Sequence, residues 1–545
     1  MTLVRQLLAQ AARTPDAVAL VAGDGGRMRY GELRREVLAV RHGLIEAGLR
    51  PGDGVLFSVR PSPRSLVLAL GVVAARGTVV FADPGAGPEM FTARLALARP
   101  AWSAAEAVLY AGSRLWPVRS YARRRGLLLP DLGRLEVSGS SAPLRHVYTG
   151  RWLPGVPKGA LSLSGLLRGE APEPDGDDDP DAPAAVVFTS GTTANPRAVV
   201  HTQASLAAAL ELFRARLPLG PGDVVHTDQL MLGLPTLIAG ARWSMPPLPC
   251  SPERFAAQLR ERGATHTFCV PVQLAEILDA LDTPGAAGRR GEGGRLPSSV
   301  RHVLLGAAPA PAPVLRRAVA AAPHAEVLSV YAMTEILPVA IASAADKLAH
   351  TASGAGGDLL GEPLPGIGAK VADDGELLLS GPNLCARYLG DPLLGELPTG
   401  DLARVDEAGR LVLAGRKKDM LIRGRFNLYP GLYEPAITAL DGVAEAAIVG
   451  LPDPGTGDEE VVLALVGSAD PGEPAAELAA RVRRALPGML DAAALPDRIV
   501  VLPGLPRSGR GRKVDRDRLR ELVRSAEPAA VVPARRPGRV RETGR

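Results

Sequence analysis

Short apolar runs alternate with stretches of helical periodicity over the first part of this chain, and no other feature constrains its fold as strongly. The predicted strands are residues 18–21, 54–59 and 78–82, and the predicted helices are residues 30–48 and 63–76. Ser62 before Pro63 is typical of a helix start, because serine caps the free N–H groups and proline suits the first turn. Strands and helices in alternation predict an α/β architecture.

The length and the charge of the chain exclude some classes of protein. Its 545 residues are more than a single core needs, so we expect at least two domains. The net charge is +5, and residues 527–545 contribute five arginines against two glutamates. The rest is nearly balanced, which argues against a nucleic-acid-binding protein. The N-terminal segment lacks the apolar core of a signal peptide, and no apolar run near it is long enough for a transmembrane segment. We therefore expect a soluble, cytoplasmic protein.

The most informative motif lies at residues 186–202, which read VVFTSGTTANPRAVVHT. Hydroxyl and backbone N–H groups in such a turn can surround an oligophosphate, because they form a concave set of donors. Glycine lets the backbone approach the anion closely, and arginine adds a charge-assisted bond. The predicted phosphate-binding residues are Thr189, Ser190, Gly191, Thr192, Thr193 and Arg197. A Ser/Thr/Gly turn between strands is also common without a ligand, so the motif alone leaves both interpretations open.

This turn resembles the phosphate-binding signature of the acyl-adenylate-forming (AMP-binding) superfamily, which includes acyl-CoA synthetases, luciferases and the adenylation domains of peptide synthetases. Further segments resemble motifs of the same superfamily and follow in its order. They are residues 306–309 (GAAP), 331–335 (YAMTE), 399–402 (TGDL), 415–419 (GRKKD) and 505–514 (LPRSGRGRKV). The resemblance extends over roughly residues 1–525. It implies an α/β fold with a large, multi-sheet N-terminal domain and a small, mobile α+β C-terminal domain.

The resemblance implies domain bounds. We expect an AMP-binding domain over residues 1–417, a mobile domain over residues 418–525, and a disordered basic tail over residues 526–545. Lys418 matches the hinge about which the small domain rotates in this superfamily.

The resemblance also implies ATP as the bound nucleotide, with a role for each matching residue. Ala308 and Pro309 match the segment that lines the adenine site, and the ring of Tyr331 offers a face on which adenine can stack. Asp401 can accept hydrogen bonds from both ribose hydroxyls. Arg416 can reach the ribose or the phosphates.

Four residues are implied in the chemistry. Glu335, together with Thr189, is expected to hold Mg²⁺, a hard cation that prefers oxygen ligands and phosphate. Thr334 can donate to a phosphate oxygen. Lys513 is expected to stabilise the charge that develops between the substrate carboxylate and the α-phosphate. His201 lies near the phosphate turn in the sequence, but we interpret it as a structural histidine.

The chain departs from the family pattern at several positions. The usual lysine of the phosphate turn is Arg197, and a usual histidine is Gln203. Alanine stands where glycine is usual at Ala194, Ala198 and Ala332. Because alanine adopts a positive φ only at a cost, these changes predict slow turnover or narrow selectivity.

The acyl acceptor separates three hypotheses. Residues 81–85, 98–100, 334–339 and 429–435 resemble the olefin-biosynthesis β-lactone synthetases, and Arg425 stands where CoA ligases usually have glycine. The first hypothesis is therefore a β-lactone synthetase for a long-chain 2-alkyl-3-hydroxy acid, in a complex with other enzymes of an olefin or lactone pathway. The second is an acyl-CoA or acyl-carrier-protein ligase. The third is a catalytically degenerate nucleotide-binding homologue.

Overall fold

The computed structural model describes most of the chain. The described residues are 1–82, 88–114, 131–135, 143–174, 179–188, 197–282, 294–419, 421–423, 426–452, 459–468, 474–488, 495–508, 512–526 and 531–533. They form two compact units. The first unit comprises Met1–Phe268, Met333–Pro338 and Ser380–Leu397, and the second comprises Cys269–Ala332, Val339–Leu379 and Pro398–Arg545.

The strands are as follows: β1 (Val18–Val21), β2 (Arg27–Arg29), β3 (Gly54–Ser58), β4 (Thr78–Phe81), β5 (Trp102–Glu106), β6 (Arg145–Thr149), β7 (Leu161–Ser162), β8 (Pro183–Phe188), β9 (Ala198–Thr202), β10 (Val224–His226), β11 (Arg242–Ser244), β12 (His266–Cys269), β13 (His302–Leu305), β14 (Glu326–Tyr331), β15 (Ala340–Ser343), β16 (Asp358–Gly361), β17 (Gly368–Val371), β18 (Glu376–Ser380), β19 (Arg387–Tyr388), β20 (Leu397–Val405), β21 (Leu411–Arg416), β22 (Leu421–Arg423), β23 (Phe426–Leu428), β24 (Val443–Pro452), β25 (Glu459–Gly467), β26 (Arg498–Val501), β27 (Arg507–Ser508), β28 (Lys513–Val514) and β29 (Val531–Pro533).

The helices are as follows: α1 (Leu3–Arg13), α2 (Tyr30–Glu46), α3 (Pro63–Ala74), α4 (Pro88–Ala98), α5 (Ala107–Arg114), α6 (Leu163–Leu166), α7 (Gln203–Arg216), α8 (Leu230–Ile238), α9 (Pro252–Glu261), α10 (Pro271–Asp282), α11 (Ala312–Ala321), α12 (Ala344–Ala352), α13 (Pro430–Thr438), α14 (Ala475–Ala485) and α15 (Arg516–Ser525). Short 3₁₀ turns lie at Leu132–Arg134, Lys417–Asp419 and Leu486–Gly488. Within the described residues, no helix combines the length and the apolar character that a membrane crossing requires.

The predicted α/β architecture is confirmed. The first unit contains a sheet in the strand order β19-β9-β8-β4-β3-β5-β6-β7, which is parallel from β8 to β7. Helix α3 begins at the predicted cap, where the Ser62 hydroxyl accepts from the N–H of Ser65 at 3.1 Å. Helices α2 and α3 pack so closely that a Cβ at Gly71 would lie 2.4 Å from a methyl carbon of Val40. Strand β8 thus ends at the carboxyl edge of a parallel sheet, where open α/β sheets usually bind ligands.

A second sheet of the first unit joins β12, β10, β11, β1 and β2. Strands β10, β11, β12 and β1 are parallel to their neighbours, and β2 returns antiparallel to β1. In the register of this sheet, Val21 lies beside both Arg27 and Ser244, and Ser244 lies beside His226. These residues therefore form a row across the strand ends.

The second unit begins with the parallel pair β13–β14, to which β15 is antiparallel. It continues with a five-stranded sheet in the order β16-β21-β20-β18-β17. Strands β20 and β21 form a hairpin in which Asp401 lies opposite Arg416.

The C-terminal part of the second unit is a sheet in the order β24-β25-β26-β29 with apolar clusters on both faces. One cluster includes Ile437, Leu463 and Ile499, and the other includes Val462 and Leu519. Neighbouring residues of β25 alternate between the two, as the period of a strand requires. Every member of both clusters lies within residues 421–526.

Three residues of the predicted disordered tail, residues 526–545, form a strand. Residues Val531–Pro533 form β29, which pairs antiparallel with β26. Paired β-branched valines favour a strand wherever a sheet edge is open, and composition alone did not reveal that edge. Residues 527–530 and 534–545 lie outside the described part of the chain.

Candidate active site

The ends of the predicted phosphate turn are fixed by strand pairing. Strand β8 ends at Phe188 and β9 begins at Ala198, and these two residues lie opposite each other in the antiparallel pair. The turn between them starts at the carboxyl edge of the parallel sheet. Its predicted ligands Thr189, Ser190, Gly191, Thr192 and Thr193 lie outside the described residues, as does Ala194.

Arg197 lies on the C-terminal side of this turn and is exposed. The central carbon of its guanidinium group is 3.7 Å from the centroid of the Tyr388 ring. A planar guanidinium group can stack on an aromatic face, which a lysine ammonium does less well. Tyr388 therefore supplies a ring on which arginine, the residue that stands in place of lysine here, can stack.

Tyr388 links Arg197 to the predicted magnesium ligand. Its hydroxyl group donates a hydrogen bond to Oε1 of Glu335 at 2.9 Å. Burial, followed by the charge of Glu335, raises the pKa of Tyr388 well above its usual value, so the phenol stays protonated. The sequence analysis missed this residue. Tyr388 lies in a two-residue strand, which is too short to show a periodic pattern.

Glu335 can supply one carboxylate ligand for Mg²⁺, and the other ligands would come from phosphates and water. The residue is 8% exposed, and its backbone carbonyl accepts from the N–H of Cys385 at 2.7 Å. The described residues contain no group of three or more acidic, histidine or cysteine side chains that could enclose an ion. Mg²⁺ usually binds through one or two carboxylates together with phosphates and water, so a single buried carboxylate fits this donor set. The second predicted ligand, Thr189, lies outside the described residues.

His201 holds the backbone beside Glu335. Its Nε2 lies 2.8 Å from the carbonyl oxygen of Thr334, which can only accept, so Nε2 carries the proton. Its Nδ1 lies 3.3 Å from the hydroxyl of Ser205, and burial lowers the pKa of the ring. Both ring nitrogens have partners, which supports the predicted structural role. Through this bond, His201 fixes the Thr334–Glu335 segment against β9.

In the second unit, the predicted nucleotide ligands Tyr331 and Arg416 both contact the carboxylate of a third, Asp401. Asp401 is 2% exposed, and its Oδ2 accepts from the Tyr331 hydroxyl at 2.7 Å. The Nε of Arg416 lies 2.9 Å from Oδ1, but Oδ1 receives no well-aligned hydrogen bond from the described residues. A buried carboxylate oxygen with an ion-pair partner and unused acceptor capacity fits a site for hydroxyl donors, as the ribose role of Asp401 requires.

The ring and the cation on either side of Asp401 have different environments. Burial, followed by the charge of Asp401, raises the pKa of Tyr331, which therefore stays a neutral donor. The Arg416 side chain is 40% exposed, so it can also reach an outside anion. The arrangement places a neutral aromatic face, a carboxylate and an accessible cation together. These are the groups that a nucleoside phosphate needs.

The part of β20 that precedes Asp401 is held by several hydrogen bonds. Gly400 has φ +70°, in the left-handed region, and its N–H donates to Oε1 of Glu376 at 2.8 Å. The Thr399 hydroxyl accepts from the N–H of Asp401 at 3.0 Å and donates to the carbonyl of Leu377 at 2.7 Å. Lys417 pairs with the same Glu376 at 3.0 Å. These hydrogen bonds hold the TGD segment of β20 and orient the Asp401 carboxylate.

The remaining predicted ligands lie on separate elements of the second unit. Ala308 and Pro309 lie in the connection from β13 to α11, after Ala307, which has φ +65°. Lys513 is exposed on the hairpin β27–β28, where it lies opposite Ser508. Arg507 supports this hairpin by donating to the carbonyl of Arg512 at 2.8 Å.

Two of the alanines that replace family glycines cause no strain. Ala198 is the first residue of β9, and neither Ala198 nor Ala332 is among the described residues with positive φ. The expected cost of alanine therefore does not arise at these positions. Ala307 does have a positive φ, although no pattern in the sequence singles it out.

Two family models match the chain. The family model described as AMP-binding enzyme matches residues 7–389, and the model described as AMP-binding enzyme C-terminal domain matches residues 433–512. A large N-terminal and a smaller C-terminal domain follow from these matches.

Two relatives and one solved structure show how far the similarity extends. The 3-[(3aS,4S,7aS)-7a-methyl-1,5-dioxo-octahydro-1H-inden-4-yl]propanoyl:CoA ligase of Rhodococcus jostii (strain RHA1) is 27% identical over 470 residues, which cover 83% of this chain and 86% of the relative. The feruloyl-CoA synthase of an Amycolatopsis species is 27% identical over 542 residues, covering 92% and 95%. The structure of the amide bond synthetase McbA from Marinactinospora thermotolerans has a TM-score of 0.76 at 24% identity, covering 96% of this chain and 99% of that one, and shows the shared fold.

The match to the AMP-binding enzyme model covers well over half of the chain. The chain therefore belongs to the AMP-binding enzyme family, within the acyl-adenylate-forming superfamily.

Proposed function

We propose that this protein uses ATP to activate a carboxylic acid as an acyl adenylate and then transfers the acyl group to CoA. In the first step a carboxylate oxygen attacks the α-phosphate and pyrophosphate leaves. In the second step the CoA thiol attacks the acyl carbonyl, AMP leaves and a proton is released. The observation that carries the proposal is the buried Asp401 carboxylate, with its unused acceptor capacity between Tyr331 and Arg416.

The residues of the chain have distinct roles in this scheme. Tyr331 and Asp401 bind the nucleoside, while Arg416, Arg197 and the Thr189–Thr193 turn bind phosphate oxygens. Glu335 supplies a carboxylate for Mg²⁺, which when bound would neutralise charge on the phosphates. Lys513 stabilises the negative charge of the first transition state, because preorganised cations lower such barriers most where charge develops.

The relatives support CoA as the acceptor. Both relatives described above are named as CoA ligases or synthases, and the chain covers 86% and 95% of their lengths. β-Lactone formation, the first hypothesis from the sequence, gains no support from these names. Its main structural argument was Arg425, which lies outside the described residues. The second hypothesis, a CoA ligase, is therefore the one that we adopt.

The test uses the full chain with ATP, Mg²⁺ and a panel of acids that includes bicyclic propanoates, ferulate and 2-alkyl-3-hydroxy acids. We expect one acid class to support exchange of pyrophosphate into ATP without CoA, and to give a thioester only when CoA is added. Lactone and AMP produced without CoA would instead establish the β-lactone hypothesis. Absence of exchange with every acid, from a folded protein that binds ATP, would favour a degenerate homologue.

A matched pair of variants links this activity to the described site. Tyr331→Phe keeps the ring but removes the hydroxyl that donates to Asp401, whereas Asp401→Asn keeps the shape but removes the charge. We expect Asp401→Asn to raise the KM for ATP by roughly tenfold or more, because a charged acceptor is worth about 1.5–3 kcal/mol. Tyr331→Phe should raise the KM for ATP less than Asp401→Asn does. Equal KM values in all three proteins would contradict the assignment.

A further inference from the structure

A cavity of about 260 Å³ in the first unit is lined by four arginine side chains, none of which is assigned to ATP. It lies between the sheet that contains β1 and β11, the turn that joins β1 to β2, and helix α9 with the residue after it. The charged residues that line it are Arg27, Arg242, Arg254, Arg262, Asp24 and Glu261.

The floor of the cavity is set by strand register. Val21 and Ser244 are the last residues of the parallel strands β1 and β11, and they lie side by side. Arg27 lies next to Val21 on β2, and Arg242 precedes Ser244 by two residues on the same face of β11. The cavity therefore opens at the carboxyl ends of parallel strands, where α/β sheets commonly bind ligands.

The positive charges in this cavity are only partly neutralised. Arg254 contacts both carboxylate oxygens of Glu261, at 3.0 and 3.1 Å. Arg262 instead donates to neutral acceptors: the Ser244 hydroxyl at 2.9 Å, the Met245 carbonyl at 3.3 Å and the Gly23 carbonyl at 3.1 Å. These bonds fix the guanidinium group through neutral acceptors, which do not offset its charge.

Two further observations indicate an excess of positive charge. Burial, followed by repulsion from Arg254, lowers the pKa of Arg262 although Glu261 and Asp24 oppose the shift. The Nε of Arg242 is buried and has no hydrogen-bond partner among the described residues. Four guanidinium groups against two carboxylates leave a formal excess of two positive charges.

We propose that this arginine cavity binds a phosphate group. A tetrahedral dianion matches the excess charge and can accept paired N–H donors from arginine, which recognises phosphate in this bidentate way. The phosphate belongs either to free inorganic phosphate or to the 3′-phosphate of a nucleotide such as CoA. None of the residues that line the cavity is assigned to ATP, so the inference goes beyond the proposed ligase activity.

The first experiment titrates the full chain with inorganic phosphate by calorimetry at about 0.15 M NaCl, where long-range effects of surface charge are screened. We expect Arg242→Gln and Arg27→Gln each to weaken phosphate binding roughly tenfold or more, because each removes a charge-assisted donor. Arg29→Gln, on the same strand β2 but outside the cavity, should bind as the unmodified chain does. Arg27 is an exposed residue of β2, so its variant stays informative even if Arg242→Gln does not fold.

An Arg197→Gln variant separates this cavity from the proposed catalytic site, since both could bind phosphate. Binding that survives Arg197→Gln but is weakened by Arg27→Gln supports the proposal. Binding that is lost in Arg197→Gln and unaffected by the cavity variants would overturn it. None of these measurements requires turnover, so failure of the proposed ligase activity would leave the test intact.

A second titration identifies the source of the phosphate. If the ligand is the 3′-phosphate of a nucleotide, Arg27→Gln should weaken binding of CoA but not of 3′-dephospho-CoA. If the ligand is free phosphate, Arg27→Gln should weaken binding of inorganic phosphate and leave the affinities for CoA and 3′-dephospho-CoA unchanged. Unchanged affinity for all three ligands would contradict the assignment.

Discussion

At the scale of single residues, Tyr388 connects two charged groups of the candidate site. Its ring lies under the Arg197 guanidinium group, and its hydroxyl donates to Glu335. The same side chain thus orients a cation that follows the phosphate turn and a carboxylate assigned to Mg²⁺. Two substitutions can separate these contributions, because phenylalanine preserves the ring and leucine does not.

We expect Tyr388→Phe to slow acyl-adenylate formation roughly tenfold, since the Glu335 carboxylate loses a hydrogen bond worth about 1.5–3 kcal/mol. Tyr388→Leu should cost a further two- to fivefold and raise the KM for ATP, because an exposed cation–π contact contributes about 0.5–1 kcal/mol. Pyrophosphate exchange over a range of ATP concentrations measures both effects. Identical kinetics for the two variants would show that Arg197 does not depend on the ring.

A second residue-scale prediction concerns Lys513, on the hairpin β27–β28. Lys513→Ala should reduce adenylate formation roughly 10²–10³-fold, since removal of one preorganised electrostatic contact has effects of this size. Lys418→Ala, which removes the exposed lysine at the predicted hinge, is a charge-matched control for this first step. The two rates should differ by at least tenfold; equal rates would mean that the 505–514 motif has been misassigned.

At the scale of elements, local chemistry explains which parts of the fold were predictable. The predicted strand 18–21 is β1 residue for residue, and the predicted helix 63–76 is α3, which ends two residues earlier at Ala74. Both have strong periodicity and clear boundary signals. The Tyr331–Asp401–Arg416 cluster depends on pairing between distant strands, which no local pattern encodes. Family resemblance named these residues, but only the β20–β21 register placed Arg416 beside Asp401.

The part of β20 that precedes Asp401 offers a test of backbone conformation rather than of a side chain. Gly400 has φ +70° with no atom within 4 Å of an added Cβ, so any cost of alanine there is conformational. We expect Gly400→Ala to lower the free energy of unfolding by about 1–2 kcal/mol. Gly395→Ala is a matched control, because its Cβ also meets open space but its φ is not in the left-handed region. Urea denaturation should show stability unchanged or slightly raised for the control.

At the scale of the whole molecule, buried histidines make stability depend on pH. Burial, followed by repulsion from Arg262, lowers the pKa of His226 to about 3, and burial also lowers the pKa values of His201 and His146. A histidine with a depressed pKa in the folded state binds its proton more readily when unfolded. Its contribution to stability is therefore complete above the unfolded pKa of about 6.5 and is lost as the pH falls towards the folded value.

We expect the free energy of unfolding to fall by about 1.4 kcal/mol per pH unit from His226 alone between pH 6.5 and pH 3. The difference in stability between pH 7 and pH 5 should therefore be about 2 kcal/mol smaller in His226→Gln than in the unmodified chain. His324→Gln changes an exposed histidine and should leave that difference as it is. A His226→Gln profile parallel to that of the unmodified chain would contradict the assigned shift.

The C-terminal sheet, whose two apolar clusters lie within residues 421–526, has a consequence for how such proteins can change over generations. Among the described residues, the members of both apolar clusters all come from that stretch of sequence. A segment of this kind can be inherited, transplanted or redesigned as one block, with its packing carried along intact.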